Sequence, residues 1–354
     1  MKLNATISAA KRLLLSALIV ISAASCVHQW PDPAEAELVL DLVFDTALPQ
    51  GPVVDMTTKA ADDGLYDVRY IIEAYSQRND GSYDEDTPYA RFLYTKDDIS
   101  DLDYNLSLMI MEGTYRFRVW ADYVDAGTQT DKFYNADKFK YIKLYGKDEG
   151  VPHVGNNDYR DAFVGSAEVE VVRFGGNHPP VSATIDMARP LSKVVFITTD
   201  LDDWKTKVIT NLYEMAIQGA KPGEQVDVPE DIDINEYTVK IHYPQYMPNA
   251  FNLTTDRTTW SDSNVSFESK LIQLNNTDAS MGFDYIFANN SDANVVMAVS
   301  LHDKDGTQLA RSYDITVPLE RGKVTTVKGS FLLEESDGGV SINPDFDGEF
   351  NIVI

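Results

Sequence analysis

Apolar and polar residues alternate in short runs along most of this chain, the two-residue period of strands that bury one face. Glu37 to Phe44, reading Glu-Leu-Val-Leu-Asp-Leu-Val-Phe, opens the series. Val68–Tyr75 and Tyr115–Tyr123 follow. In the latter, Tyr115, Phe117, Val119, Ala121 and Tyr123 share one face, with Arg116, Arg118 and Asp122 on the other. Ala167–Val172, Val181–Asp186, Lys193–Thr198, Tyr237–Tyr243, Val295–Leu301, Tyr313–Leu319 and Val324–Leu332 are further strands by the same pattern. Asn79-Asp80-Gly81 and Gly175-Gly176-Asn177 punctuate them, and Asp303-Lys304-Asp305-Gly306 is a hairpin signal.

One segment changes period. Trp204, Val208, Leu212 and Met215 recur at three-to-four spacing, which predicts one amphipathic helix over 203–218. Asp202 or Asp203 is its expected N-cap and Gly219 its end, and the apolar stripe is expected to pack on a sandwich face. Many short strands with one helix predict an all-β protein of tandem antiparallel β-sandwiches rather than a parallel α/β sheet. Gly175–Pro180 is the best linker, dividing an N-terminal sandwich at 37–177 from a C-terminal one at 178–354. No repeat of solenoid length is present.

The first 25 residues have another character. Lys2, Lys11 and Arg12 are their only charges, and an apolar stretch from Leu13 to Ala24 follows. A basic start, a short apolar run and small residues before a cut describe a secretory signal peptide. The run falls short of the roughly 20 residues needed to cross a bilayer. Ala23-Ala24-Ser25-Cys26 then resembles the lipobox of bacterial lipoproteins, with cleavage between Ser25 and Cys26 and acylation of Cys26. A plain signal peptide with a chance cysteine is the alternative, but this is the chain's single cysteine and it stands at the one useful position. Two or three acyl chains give stable anchoring where one gives marginal binding. Residues 1–25 are thus expected to be removed, and 26–36, with its prolines and acids, to form a lipidated tether.

Composition narrows the chemistry. The 354 residues carry 30 Lys+Arg against 56 Asp+Glu, a net charge of -26, so nucleic acid is a poor partner. The three basic residues of the leader leave with it, and 27 basic against 56 acidic residues give -29. A hydrophobic content of 44% argues against a disordered acidic polymer. One cysteine excludes an internal disulfide and a cysteine-based metal cluster. His28, His153, His178, His242 and His302 are scattered without metal-ligand spacing. There is no G-x-S-x-G elbow, phosphate-binding loop or G-x-G-x-x-G. Asp231-Ile232-Asp233-Ile234-Asn235 begins like a calcium-binding loop, but Glu236 replaces the required Gly and His242 the final Glu. Asp303–Thr307 offers oxygen ligands that a hairpin turn already explains. No enzyme, metal or cofactor is expected. Nineteen Tyr, 15 Phe and 4 Trp supply a β-rich core, or a platform for sugar rings if they are exposed.

Three stretches, Ala188–Val194, Tyr243–Asn252 and Val317–Leu332, resemble segments of the fimbrillin-like (FimA/FimB-type) fimbrium subunits and fimbrium-associated lipoproteins of Bacteroidia. Ala188-Arg189-Pro190-Leu191-Ser192-Lys193-Val194 resembles the RP-x-A-K-x opening strand of their second domain. Tyr243-Pro244-Gln245-Tyr246-Met247-Pro248-Asn249-Ala250-Phe251-Asn252 is similar to Y-x-x-F-M-P-x-x-F-N, and Val317–Leu332 to the closing I-P-L-x-R-N-x-x-T-x-I-x-G-x-F-L hairpin. Gly322 stands where the family has Asn; both tolerate a left-handed turn. The acidic tail around Asp345-Phe346-Asp347-Gly348 fits as well. The first domain matches mainly in architecture.

The resemblance implies two transthyretin-like sandwiches, lipid-anchored in the outer membrane, with other fimbrial subunits as partners. It also implies assembly by β-strand addition. In stalk subunits of that family an Arg-specific protease removes the first strand, and a neighbour's strand fills the groove. Here no arginine lies between Cys26 and Arg69, where Lys59 is the one basic residue, and Arg69 falls inside a predicted strand. An anchor or accessory subunit that keeps its lipid is therefore expected. The run Phe350, Asn351, Ile352, Val353, Ile354 is either a donor strand or the closing strand of its own sandwich. The rival reading is a glycan-binding outer-membrane lipoprotein beside a sugar-uptake system, with host or bacterial surface glycans as partners. It calls for exposed coplanar aromatics. A hydrolase would call for two converging carboxylates.

Overall fold

The computed structural model describes residues 35–46, 64–97, 101–146, 150–173, 179–221, 224–290, 293–333, 341–343 and 349–353. It is an all-β structure of four sheets, with one α-helix among the described residues. β1 (Glu35–Phe44) is the middle strand of a three-stranded sheet. It runs antiparallel to β4 (Tyr104–Met111) and parallel to β9 (Val181–Met187). Its alternation is realised as read: Ala36, Leu38, Leu40, Leu42 and Phe44 are buried, while Glu37, Asp41 and Val43 face out.

This sheet packs on a four-stranded antiparallel sheet ordered β3 (Ala90–Lys96), β2 (Tyr66–Ser76), β5 (Gly113–Asp125), β8 (Ala162–Val171). Phe44 meets Phe163 edge-on at 5.0 Å, and the Tyr70 ring lies 4.8 Å from Tyr104. The other face of β5 is covered too: Arg118 and Asp122 are buried and Arg116 is half-buried, and the excursion that follows β5 from residue 126 lays Asp131 and Tyr134 against it. Arg69 donates from Nε and Nη2 to Asp122 at 2.8 and 2.6 Å and from Nη1 to Asp131 at 2.7 Å, and Tyr134 sits edge-on to Trp120 at 5.2 Å.

That same excursion contributes β6 (Tyr134–Asn135) and β7 (Ile142–Leu144) to a seven-stranded sheet of the second half. There β7 pairs with β11 (Thr238–Asn252), and β11 is flanked by β12 (Arg257–Lys270) and β15 (Ala293–His302). β16 (Gln308–Arg311) and β17 (Ile315–Leu319) pair with β15. The facing six-stranded sheet is ordered β13 (Ile272–Gln273), β14 (Ala279–Phe287), β10 (Leu191–Thr198), β18 (Val324–Gly329), β20 (Glu349–Val353), β19 (Ser341–Asn343). Phe251 and Phe287 stack across the layers at 5.8 Å. Most pairs are antiparallel; β1 with β9, β10 with β18 and β18 with β20 are parallel. The two sheet pairs also exchange segments: β9, after the Gly175–Pro180 stretch, belongs with β1, and β6 and β7, before it, belong with β11.

The helix α1 spans Leu201–Gly219. Two expectations about it need correction. Its N-cap position is Asp200, whose carbonyl accepts from Trp204 N at 2.9 Å, so Asp202 and Asp203 lie in the first turn. The Asp200 carboxylate is engaged elsewhere, accepting from the backbone N–H groups of Leu332 and Leu333 at 3.1 and 2.9 Å. The stripe does not cover a sandwich face either. Leu201 and Trp204 are buried, Val208 is half-buried, and Leu212 and Met215 are exposed, because the helix leaves the body after its second turn.

Candidate functional site

The first strand is the centre of the candidate site. β1 is hydrogen-bonded along both edges, and Leu38, Leu40 and Leu42 are fully buried against the four-stranded sheet. β8 allows this close layer contact at Gly165. A Cβ there would lie 2.6 Å from both Ile185 Cγ2 and Met187 Sδ of β9. Taking β1 away would separate β4 from β9 and expose a row of apolar seats between two unpaired edges, a geometry that accepts a strand of alternating pattern.

The end of β1 is locked by Arg189, in the first of the three stretches singled out from the sequence. Arg189 Nε donates to both oxygens of Asp161 at 2.9 and 3.0 Å, and its Nη1 and Nη2 donate to the carbonyls of Asp45 and Thr46 at 3.0 and 3.2 Å. Its guanidinium also lies over the Phe163 ring at 4.7 Å. Burial alone would depress its pKa, but the Asp161 carboxylate outweighs burial and holds it raised. The other two stretches converge on this junction. Arg321 donates from Nε to the Arg189 carbonyl at 3.1 Å, lies over Phe251 at 5.3 Å, and reaches Asp256 at 2.7 Å through Nη1. Gly322 takes a left-handed φ of 68° as its N–H donates to the Leu191 carbonyl at 2.8 Å, which is why Gly serves where the resembling family has Asn.

A second buried cluster pins the 126–161 excursion to the second sandwich. Asp284 accepts from Tyr243 Oη at 2.5 Å, contacts His153 Nε2 at 2.7 Å, and is paired with Arg160. Burial pushes the Asp284 carboxyl up, yet Arg160 and His153 more than offset it and leave it below the usual carboxylate range. Asn156 Oδ1 accepts from Phe283 N at 2.7 Å nearby. Sequence reading passed over Asp161, Arg160 and Asp284. Their one signal is that each is a charged residue beside strand-forming runs, a signal shared with many exposed residues.

Ser25, Cys26, His28, His178 and Ile354 lie outside the described residues. Phe350 to Val353 fall in β20, parallel to β18. His242 Nε2 lies 2.9 Å from Ser300 Oγ, and so does His302 Nε2. Asp303 Oδ1 accepts from Asp305 N and Thr307 N at 2.9 and 2.8 Å, completing the β15–β16 turn, and Asp233 Oδ1 accepts from Asn235 N at 3.0 Å. Among the described residues no three His, Cys, Asp or Glu side chains gather in a form that could hold a metal. A cleft of about 370 Å³ is lined by Gly155, Asn156, Thr238, Glu268, Ser269, Lys270 and Ile272. Tyr246 and Trp260 are the most exposed described rings, and Trp260 meets Tyr141 at 79° rather than in a shared plane.

No match was found among curated proteins. Among solved structures, this chain is similar to a candidate polysaccharide-binding protein of Bacteroides thetaiotaomicron. The identity is 14% over 78% of this chain and 80% of that one, with a TM-score of 0.42. It is also similar to a candidate cell adhesion protein of Bacteroides eggerthii, with 11% identity over 90% and 94% and a TM-score of 0.42. The fimbrial anchor protein Mfa2 of Porphyromonas gingivalis shows 11% identity over 78% and 81%, with a TM-score of 0.38. TM-scores this low assign neither fold nor function. A family model matches far more directly. With residues 34–354 matching that model, the chain belongs to the family of unknown function DUF6562.

Proposed function

We propose that this chain is a structural lipoprotein of the outer-membrane surface, held by lipid on Cys26. It serves as an anchor or accessory subunit of a fimbrium that assembles by β-strand addition. The observation that carries this reading is the placement of β1. The strand opens at Glu35, within the last two residues of the stretch expected as a tether, is paired on both edges, and is locked at its end by Arg189. Arg69, the first arginine after Cys26, is buried in β2 and bonded to Asp122, beyond the reach of an Arg-directed protease. Such a subunit keeps its first strand. Strand addition then needs another edge, and β4, paired among the described strands only with β1, presents a regular one. β12 is a poorer template, since left-handed backbone at Trp260 (φ 58°) and Asn264 (φ 55°) interrupts it. In this reading the body comprises two sandwiches, with Phe350–Val353 closing the second beside β18.

The glycan-binding alternative calls for coplanar exposed rings, which the edge-on Trp260 and Tyr141 do not supply. Mild shearing of cells, with filaments and membranes then separated, tests the proposal. The protein is expected in the outer-membrane fraction, and deleting it is expected to release filaments into the medium. Filaments that remain equally attached without it would sink the fimbrial role.

A further inference from the structure

The cleft of about 370 Å³ lies at the end of β12. The strand stops at Lys270 and the chain crosses to the other sheet as β13, so the lining joins Glu268, Ser269 and Lys270 to Thr238 of β11 and to Asn156. The pairing register sets Thr238 opposite Lys270. Asn156 is held rigidly. Its N–H donates to the Phe283 carbonyl at 2.8 Å, and its Oδ1 accepts from Phe283 N at 2.7 Å. That second bond fixes Nδ2, a donor with no partner among the described residues. Gly282 backs both polar groups: a Cβ there would come within 2.7 Å of Ser269 Oγ and 2.8 Å of Asn156 Oδ1, and its φ of 136° suits glycine. Glu268 and Lys270 are exposed, and neither makes an ion pair among the described residues.

We propose that this cleft binds one neutral sugar ring, a function separate from lipid anchoring and strand addition. Ile272 is the one apolar side chain in the lining, so an apolar ligand would strip water from the polar groups and replace none of their hydrogen bonds. The charges of Glu268 and Lys270 cancel, and a body of -26 opposes an anion. A free amino acid answers the two charges but turns its side chain towards Asn156, Thr238 and Ser269. Sugar hydroxyls donate and accept at once, so they match carboxylate, ammonium, amide and hydroxyl alike. The volume is near the low end of ligand sites, about 300–1,000 Å³, which suits a single ring. A glycan laid along the surface would need the coplanar rings that Trp260 and Tyr141 lack; one ring in a polar cleft does not.

Saturation-transfer NMR tests this with the purified protein and the methyl glycosides of glucose, galactose, mannose and N-acetylglucosamine. The expected result is saturable transfer to at least one of them, with a dissociation constant of about 1 mM or below. Glu268→Ala and Lys270→Ala should each weaken binding about tenfold or more, because hydrogen bonds to charged groups are the strong ones. Their unfolding midpoints should not move, since both side chains are exposed. Asn156→Asp keeps the acceptor for Phe283 N and removes the free donor, and should weaken binding as well. Trp260→Ala should leave binding unchanged. No saturable transfer to any of the four glycosides, unaltered binding in the Glu268 and Lys270 variants, or loss on Trp260→Ala would overturn the proposal. So would tighter binding of free glutamine than of any glycoside.

Discussion

Arg189 is the side chain on which the end of the first strand depends. Arg189→Met keeps much of the volume but leaves Asp161 buried without its cation and frees the carbonyls of Asp45 and Thr46. Breaking a buried pair from one side costs about 3–5 kcal/mol, so urea unfolding should show a loss of that size. The sequence singled out the stretch around Arg189, but not Asp161, which lies 28 positions away in the chain and comes close only through the β8–β9 layer contact. His242 gives a separate signature. Burial, with Arg311, Lys240 and His302 adding to it, pushes its pKa from 6.5 down to about 4. The folded state therefore holds the neutral ring while the unfolded chain takes up a proton. The corresponding stability is complete above pH 6.5 and lost as pH falls towards about 4. His242→Gln should flatten the unfolding midpoint across that window. Asp284, whose folded pKa lies below 3.8, contributes loss only under more acid conditions.

Strands with one buried face carry the clearest pattern, although β2, buried at nine of its eleven positions, is legible too. β1 alternates cleanly and lies where its pattern put it, with one face against the four-stranded sheet. β14 is buried at all nine positions, so it shows no period to read. β12 is a Ser- and Thr-rich edge strand, held mainly by backbone pairing to β11, and so offers little apolar signal. β4 did alternate, through Leu106, Leu108 and Ile110, and was there to be found. In α1 the period was right but the stripe does not pack where expected, because periodicity locates an apolar face without saying what covers it. Two variants test the layer between β1, β8 and β9. Leu40→Ala should cost about 2–5 kcal/mol through the cavity it leaves. Gly165→Ala should cost about 1–3 kcal/mol by forcing Ile185 and Met187 aside. Either loss is read as a lower denaturant midpoint, and a midpoint unchanged in both would mean that these strands do not pack as described.

The molecule has two ends. The Phe44 end of β1 adjoins Phe163 and Arg189, and β10 starts beside that junction and leads away to α1. On the proposed function, lipid at Cys26 holds the Glu35 end within about 30 Å of the membrane, the reach of the nine residue steps from Cys26 to Glu35. The acidic balance, -26 over the full sequence, favours solubility and names no ligand. The central claim is that the exported protein is lipidated and keeps its first strand. Mass spectrometry of the N-terminus of the native protein measures both at once. A chain that begins at acylated Cys26 and continues through β1 is the predicted result; an N-terminus beyond Thr46, or a Cys26 without lipid, would contradict it.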